Sequence, residues 1–106
     1  MALFLDDFVE HLNRTYRPVM QALQKHGLDG TIERVGNGFY ILIAVDNEGF
    51  RTEITDAGKP IPDSPRNIEV WRVTSPVNGL VSRLPGSSSY DQVAQTIVDM
   101  SPQKVH

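Results

Sequence analysis

Apolar and polar positions recur along this chain with two different periods, and the change of period divides it. In the first quarter Leu5, Phe8, Val9, Leu12, Tyr16, Val19, Met20 and Leu23 recur at spacings of three and four. That spacing draws one apolar stripe along a helix. Asp6 and Asp7 fall at its predicted first turn, and Lys25 and His26 at its last, the charge order that a helix dipole favours. Gly27 can take the left-handed conformation that closes a helix, with Leu28 placed to touch Leu23. Pro18 has no amide hydrogen and crowds the carbonyl of Arg14. The helix is therefore expected to kink or to split near residues 15–17, and the unbroken stripe favours a kink.

The period then shortens to that of strands. Residues 31–35 predict a first strand, and Gly36, Asn37 and Gly38 a turn, because Gly and Asn tolerate positive φ. Residues 39–45 predict a second strand, and Asp46, Asn47, Glu48 and Gly49 a second turn. Residues 50–55 predict a third, alternating Phe50, Thr52 and Ile54 against Arg51, Glu53 and Thr55. Two short turns make an antiparallel meander. Pro60, Pro62 and Pro65 mark 56–65 as an irregular surface loop. Residues 68–73 predict a fourth strand. Residues 75–88, rich in Gly, Pro and Ser, predict another loop anchored by Val77, Leu80, Val81 and Leu84, a set that also fits a turn or two of helix. Ser89 and Gln92 form a capping box at the head of a last helix with Tyr90, Val93, Ala94, Ile97 and Val98 on its apolar side, ended by Pro102 near Ser101.

The order helix, four strands, helix predicts an α+β fold of two layers. The terminal helices cover one face of an antiparallel sheet of about four strands. A chain of 106 residues is one domain, 1–106, long enough to bury roughly two-thirds of its unfolded surface around a single core.

The second strand raises a question of its own. Phe39 to Val45 is apolar throughout, yet a strand shows alternate residues to opposite faces. The larger set, Phe39, Ile41, Ile43 and Val45, is expected to face the helices with Ile32, Phe50 and Ile54. Tyr40, Leu42 and Ala44 then form an outer apolar ridge flanked by Glu33, Arg51 and Glu53. Such a ridge is solvated, covered by a loop or helix of the same chain, or used by a partner. An aromatic centre with a polar rim suits an interface, and Trp71 is a further anchor for one.

Charge and composition narrow the chemistry. The net charge of −3 gives little phosphate-neutralising capacity, so nucleic acid is an unexpected partner. A double-stranded-RNA reader of similar outline needs basic residues at the start of its last helix, and Ser88, Ser89, Tyr90, Asp91 and Gln92 include none. The absence of cysteine excludes disulfides, thiolate nucleophiles and thiolate metal ligands, and fits a reducing compartment. The segment MALFLDDF lacks the basic start of a secretory signal, and no apolar run approaches the ~20 residues of a membrane helix. A soluble cytoplasmic protein is expected.

No catalytic or metal motif emerges. His11, His26 and His106 are not at ligand spacing; Asp7 and His11 are a helical pair, and Asp46 to Gly49 is too short for a calcium loop. No metal, cofactor or catalytic residue is assigned. Ser87, Ser88 and Ser89 precede a helix start where amides and hydroxyls can hold an anion, with Arg83 or Arg66 as counter-charge. The expected function is a small non-enzymatic protein-interaction module (inhibitor, chaperone or adaptor-like), binding itself or another protein through the outer sheet face or an edge strand. The partner-binding residues would be Tyr40, Leu42, Ala44, Glu33, Arg51, Glu53 and Trp71. The alternative is a small-ligand or anion-binding domain using Ser87 to Ser89.

Overall fold

The structure, a computed structural model, describes residues 2–36, 38–75 and 79–100, with residues 2–7 described in backbone only. The expectations that rest on Asn37, Val77, Ser101, Pro102, His106 and the side chains of Leu5, Asp6 and Asp7 lie outside the described residues. The elements are α1 (Ala2–Thr15), α2 (Arg17–Lys25), β1 (Asp29–Val35), β2 (Phe39–Val45), β3 (Arg51–Asp56), β4 (Val70–Thr74), β5 (Val81–Pro85) and α3 (Tyr90–Asp99). The strands form one antiparallel meander in the order β1-β2-β3-β4-β5. The α+β class and element order follow the sequence expectation, but the sheet has five strands rather than four. The fifth comes from a segment expected to be loop or helix. Its five residues, VSRLP, alternate exposed and half-buried positions at the sheet's margin.

The helical segment splits into two helices at Tyr16 rather than only kinking, and two backbone hydrogen bonds still involve the residue at the break. The amide of Tyr16 donates to Leu12 O at 2.9 Å, and that of Met20 to Tyr16 O at 3.0 Å. Pro18 sits in the first turn of α2, where its missing donor costs least. Because α1 already begins at Ala2, Asp6 and Asp7 lie beyond its first turn, contrary to expectation. Gly27 adopts φ +80°, its amide bonds Gln24 O at 3.0 Å, and Leu28 N bonds Leu23 O at 2.9 Å. These two bonds are a Schellman ending. At the other end of the chain Ser89 Oγ accepts from Gln92 N at 3.1 Å while Gln92 Oε1 accepts from Ser89 N at 2.8 Å.

Residues directly opposite in an antiparallel ladder share a face. Ile32 is paired with Leu42, Leu42 with Ile54, Ile54 with Val73, and Trp71 with Leu84. Tyr40, Leu42 and Ala44 therefore look toward the helices, in one core with Leu12, Tyr16, Val19, Leu23, Val93 and Ile97. Phe39, Ile41, Ile43 and Val45 point outward. This inverts the expected assignment of β2, and the cause is turn length. Asp46 Oδ1 accepts from the amides of Glu48 at 2.9 Å and Phe50 at 3.0 Å, and Asp46 N donates to Phe50 O at 3.1 Å. Phe50 thus belongs to the turn, and Arg51 opens β3 opposite Val45. A slip of one residue turns every side chain to the other face.

The proline-rich segment is fastened to the helix side. The Asp56–Lys59 turn holds Ala57 at φ +55° and Gly58 at φ +89°, as a tight hairpin turn requires. Ile61 N then bonds Tyr40 O at 2.9 Å, extending the ladder beside β2, and Ile61 is buried in the core. Tyr16 Oη donates to Pro62 O at 2.7 Å and Thr15 Oγ1 to Asp63 O at 2.9 Å. Among the described residues no helix is long and apolar enough to cross a membrane.

Candidate functional site

Among the described residues the helices, the proline-rich segment and the core all lie on one side of the sheet, which leaves the outer face and the two sheet edges to consider. The register writes out that face. One row runs Thr31, Ile43, Glu53, Thr74, Val81 across all five strands. The neighbouring rows place Glu33 beside Ile41, Thr55 beside Arg72 beside Arg83, and Val35 beside Phe39. Arg51 Nη2 and Glu33 Oε2 form an ion pair. Glu33 is opposite Ile41 and Arg51 opposite Val45, so this pair crosses β2 at the level of Ile43. The aliphatic stems of long charged side chains can cover apolar neighbours in this way. Ile43 and Ile41 are 1% and 7% exposed, although neither belongs to the helix-side core. Phe39, one row past the ion pair, is 54% exposed.

The two edges differ. Tyr40 O accepts from Ile61, on the β3 side, so β2 bonds β1 through its odd-numbered residues. Hence Asp29, Thr31, Glu33 and Val35 bond inward, and Gly30, Ile32 and Arg34 turn their N–H and C=O groups to the open edge. On the far side, Gly86 N bonds Glu69 O at 2.8 Å and Ser75 N bonds Leu80 O at 2.9 Å. These bonds fix the phase of β5: Ser82 and Leu84 bond β4, while Val81, Arg83 and Pro85 face outward. Pro85 has no amide to offer. Gly86 is needed there because a Cβ would lie 2.1 Å from Ile68 O.

The expected site residues divide accordingly. Glu33, Arg51 and Glu53 stand on the outer face as expected, and the first two are joined. Tyr40, Leu42, Ala44 and Trp71 are 4%, 0%, 1% and 0% exposed and belong to the helix-side core, so none of them offers a surface. Trp71 packs edge-on against Tyr90 at 5.9 Å between ring centroids. Phe39, Ile41, Ile43, Val45 and the opposed arginines Arg72 and Arg83 occupy the outer face without having been assigned to it. For the β2 residues the sequence signal is the short connection from Val35 to Phe39, which sets those two opposite each other and so puts Ile41 beside Glu33.

Ser87, Ser88 and Ser89 line an open depression of about 430 Å³ with Arg66, Pro65 and Tyr90. Arg83 lies outside it, on the outer face opposite Arg72. The helix start is already occupied chemically: the capping box uses the Ser89 hydroxyl and the Gln92 amide. The carboxylate of Asp91 stands in the first turn, 3.5 Å from Lys25 Nζ and 3.4 Å from His26 Nε2. A negative side chain there competes with an anion. A more enclosed cavity of about 160 Å³ lies between the α2 end and the β2–β3 turn, lined in part by His26, Asn47, Phe50, Thr52 and Ser75. Among the described residues no group of three or more His, Asp or Glu side chains is arranged to hold a metal.

Burial, followed by the nearby carboxylates of Asp56 and Asp63 and the Tyr90 phenol, raises the Tyr16 phenol well above its ordinary range. That group is a structural donor beneath the proline-rich segment. Comparison with protein-family models, with curated proteins and with solved structures finds no match.

Proposed function

We propose that this chain is a non-enzymatic protein-interaction module that receives another polypeptide on the uncovered side of its sheet, at the Phe39 end of the outer face and along the β1 edge. The observation that carries this reading is the one-sided cover of the sheet. Helices and the proline-rich segment bury the inner face, while a half-exposed phenylalanine sits next to an open edge strand. Exposed edges invite strand addition, in which backbone bonds give affinity and alternate side chains give selectivity. The lack of cysteine is compatible with such a role in the cytoplasm.

The test is to place a photo-cross-linking amino acid at Phe39 and, as a control, at Gln95 on the far helix, in cells that make the protein. The reading expects a discrete polypeptide adduct from position 39, suppressed by excess unlabelled protein and missing from position 95. Equal or no adducts at the two positions would sink it.

A further inference from the structure

We infer that the polypeptide taken up along the β1 edge is a second copy of this chain, joined edge to edge about a two-fold axis at Ile32. This rests on the reading that β1 is an interaction edge, and names its occupant. The two five-stranded sheets would continue as one.

The open groups of β1 are self-complementary. Among the described residues no hydrogen bond reaches the N–H and C=O groups of Gly30, Ile32 and Arg34. When two antiparallel copies meet at Ile32, Gly30 of each faces Arg34 of the other, and every one of these groups finds a partner. The side chains also agree. On the helix side Ile32 meets its own copy, and Ile32 already packs against the core, so the apolar layer extends across the junction. The space over Gly30 is filled by Leu23 and Met20 of its own chain, so the Arg34 opposite keeps the exposed position it already holds. On the outer side Thr31 faces Glu33 and Asp29 faces Val35, so no like charges are directly opposed. Each of these cross-strand pairings is neutral or favourable.

The other edge fails the same test. Two β5 strands pairing about Arg83 would oppose two guanidinium groups and leave Pro85 without a donor at each end. Charged side chains and proline are the usual protection of an edge, and β5 carries both where β1 has no proline. A closed pair through β1, rather than an open chain of molecules, is what this asymmetry permits.

The experiment is light scattering after size exclusion, from low micromolar to millimolar protein, on wild type, Arg34→Pro and Arg83→Pro. Proline is tolerated on an edge strand where its nitrogen faces outward, as at both positions. The wild-type mass is expected to rise twofold with concentration. Arg34→Pro should stay at monomer mass with an unchanged circular-dichroism spectrum, and Arg83→Pro should still double. Hydrogen exchange supplies a readout independent of folding defects: the amides of Ile32 and Arg34 should slow as concentration rises, while those of Val81 and Arg83 stay fast. A wild-type monomer with a fast Ile32 amide throughout overturns the inference, and so does a dimer abolished by Arg83→Pro and spared by Arg34→Pro. If the monomer nevertheless gives the position-39 adduct with a different polypeptide, only the second-copy assignment falls. If neither dimer nor adduct is found, both readings fall.

Discussion

The two faces of β2 reach nearly the same burial by different means. Tyr40, Leu42 and Ala44 lie under the helices, in a core that includes Tyr16, Trp71 and Ile97. Ile41 and Ile43 stand outside that core, and among the described residues the Arg51–Glu33 pair is drawn across them. An unbroken apolar strand therefore does not need a second layer of secondary structure. Flanking charged residues can shield the middle of such a strand, and they leave its end open at Phe39. The inner face is fixed by packing, the outer face by a removable screen.

The sharpest way to break this comparison is a carboxylate on each face. Leu42→Asp would place an unpaired charge beneath the helices, and its loss of stability should exceed about 4 kcal/mol. Urea denaturation should find it unfolded at 25 °C in buffer. Phe39→Asp, on the open end of the same strand, should change stability by less than about 0.5 kcal/mol. A folded Leu42→Asp protein would mean that β2 is turned the other way.

A second contrast adds bulk instead of charge. Gly30 lies on the inner face, where a Cβ would come within 2.9 Å of Leu23 Cδ1 and 3.1 Å of Met20 Cγ. Gly30→Val should cost about 1–3 kcal/mol through overpacking. Thr31→Val, one residue along and facing out, should stay within about 0.5 kcal/mol. Equal effects in thermal melts would show that α2 does not press on β1.

Much of this architecture is legible in the residues, and what is not has identifiable causes. The helical stripe, the Gly27 ending and the Ser89–Gln92 box are local signals, and local hydrogen bonds satisfy them. The facing of β2 is not local. It depends on whether Phe50 belongs to a turn or a strand, which the two bonds to Asp46 Oδ1 decide. With four turn residues, Ile54 would have joined the Ile41 side; with Phe50 in the turn, it joins Leu42. The polar flank, Glu33, Arg51 and Glu53, lies on the outer face as its polarity predicts, but beside Ile41, Ile43 and Val45 rather than Tyr40, Leu42 and Ala44. The fifth strand was hidden because a short edge strand ending in Pro85 needs few apolar residues. The order in the proline-rich segment was hidden too, since it depends on Ile61, Pro62 and Asp63 meeting partners far away in sequence.

The inner face also holds a phenol whose proton is bound more tightly than usual. An unfolded tyrosine ionises near pH 10, but the folded Tyr16 phenol holds its proton to a higher pH. Between those values the folded state binds the proton and the unfolded state has released it. Stability should therefore be intact below about pH 10 and fall above it, by up to about 1.4 kcal/mol per pH unit from this group. Tyr16→Phe removes that slope and costs about 1 kcal/mol at neutral pH, because Pro62 O loses its donor. Melting temperatures from pH 8 to pH 11 check both parts. An unchanged alkaline slope in Tyr16→Phe would place the titration elsewhere.

The smallest expected effect tests the screen itself. Glu33→Gln removes one charge of the pair over Ile43 without shortening the side chain. Both partners are about half exposed, so water and salt already weaken their attraction. The loss should be about 0–1 kcal/mol and should shrink as salt is added. Its more telling consequence is local. With the pair released, the Ile43 methyl groups should become more accessible to a dissolved paramagnetic probe, while those of Leu42 should not. If Ile43 stays as protected as before, the methylenes of Glu33 and Arg51 cover it by packing rather than by charge. Glu33→Ala, which removes those methylenes, should then expose Ile43 where Glu33→Gln did not.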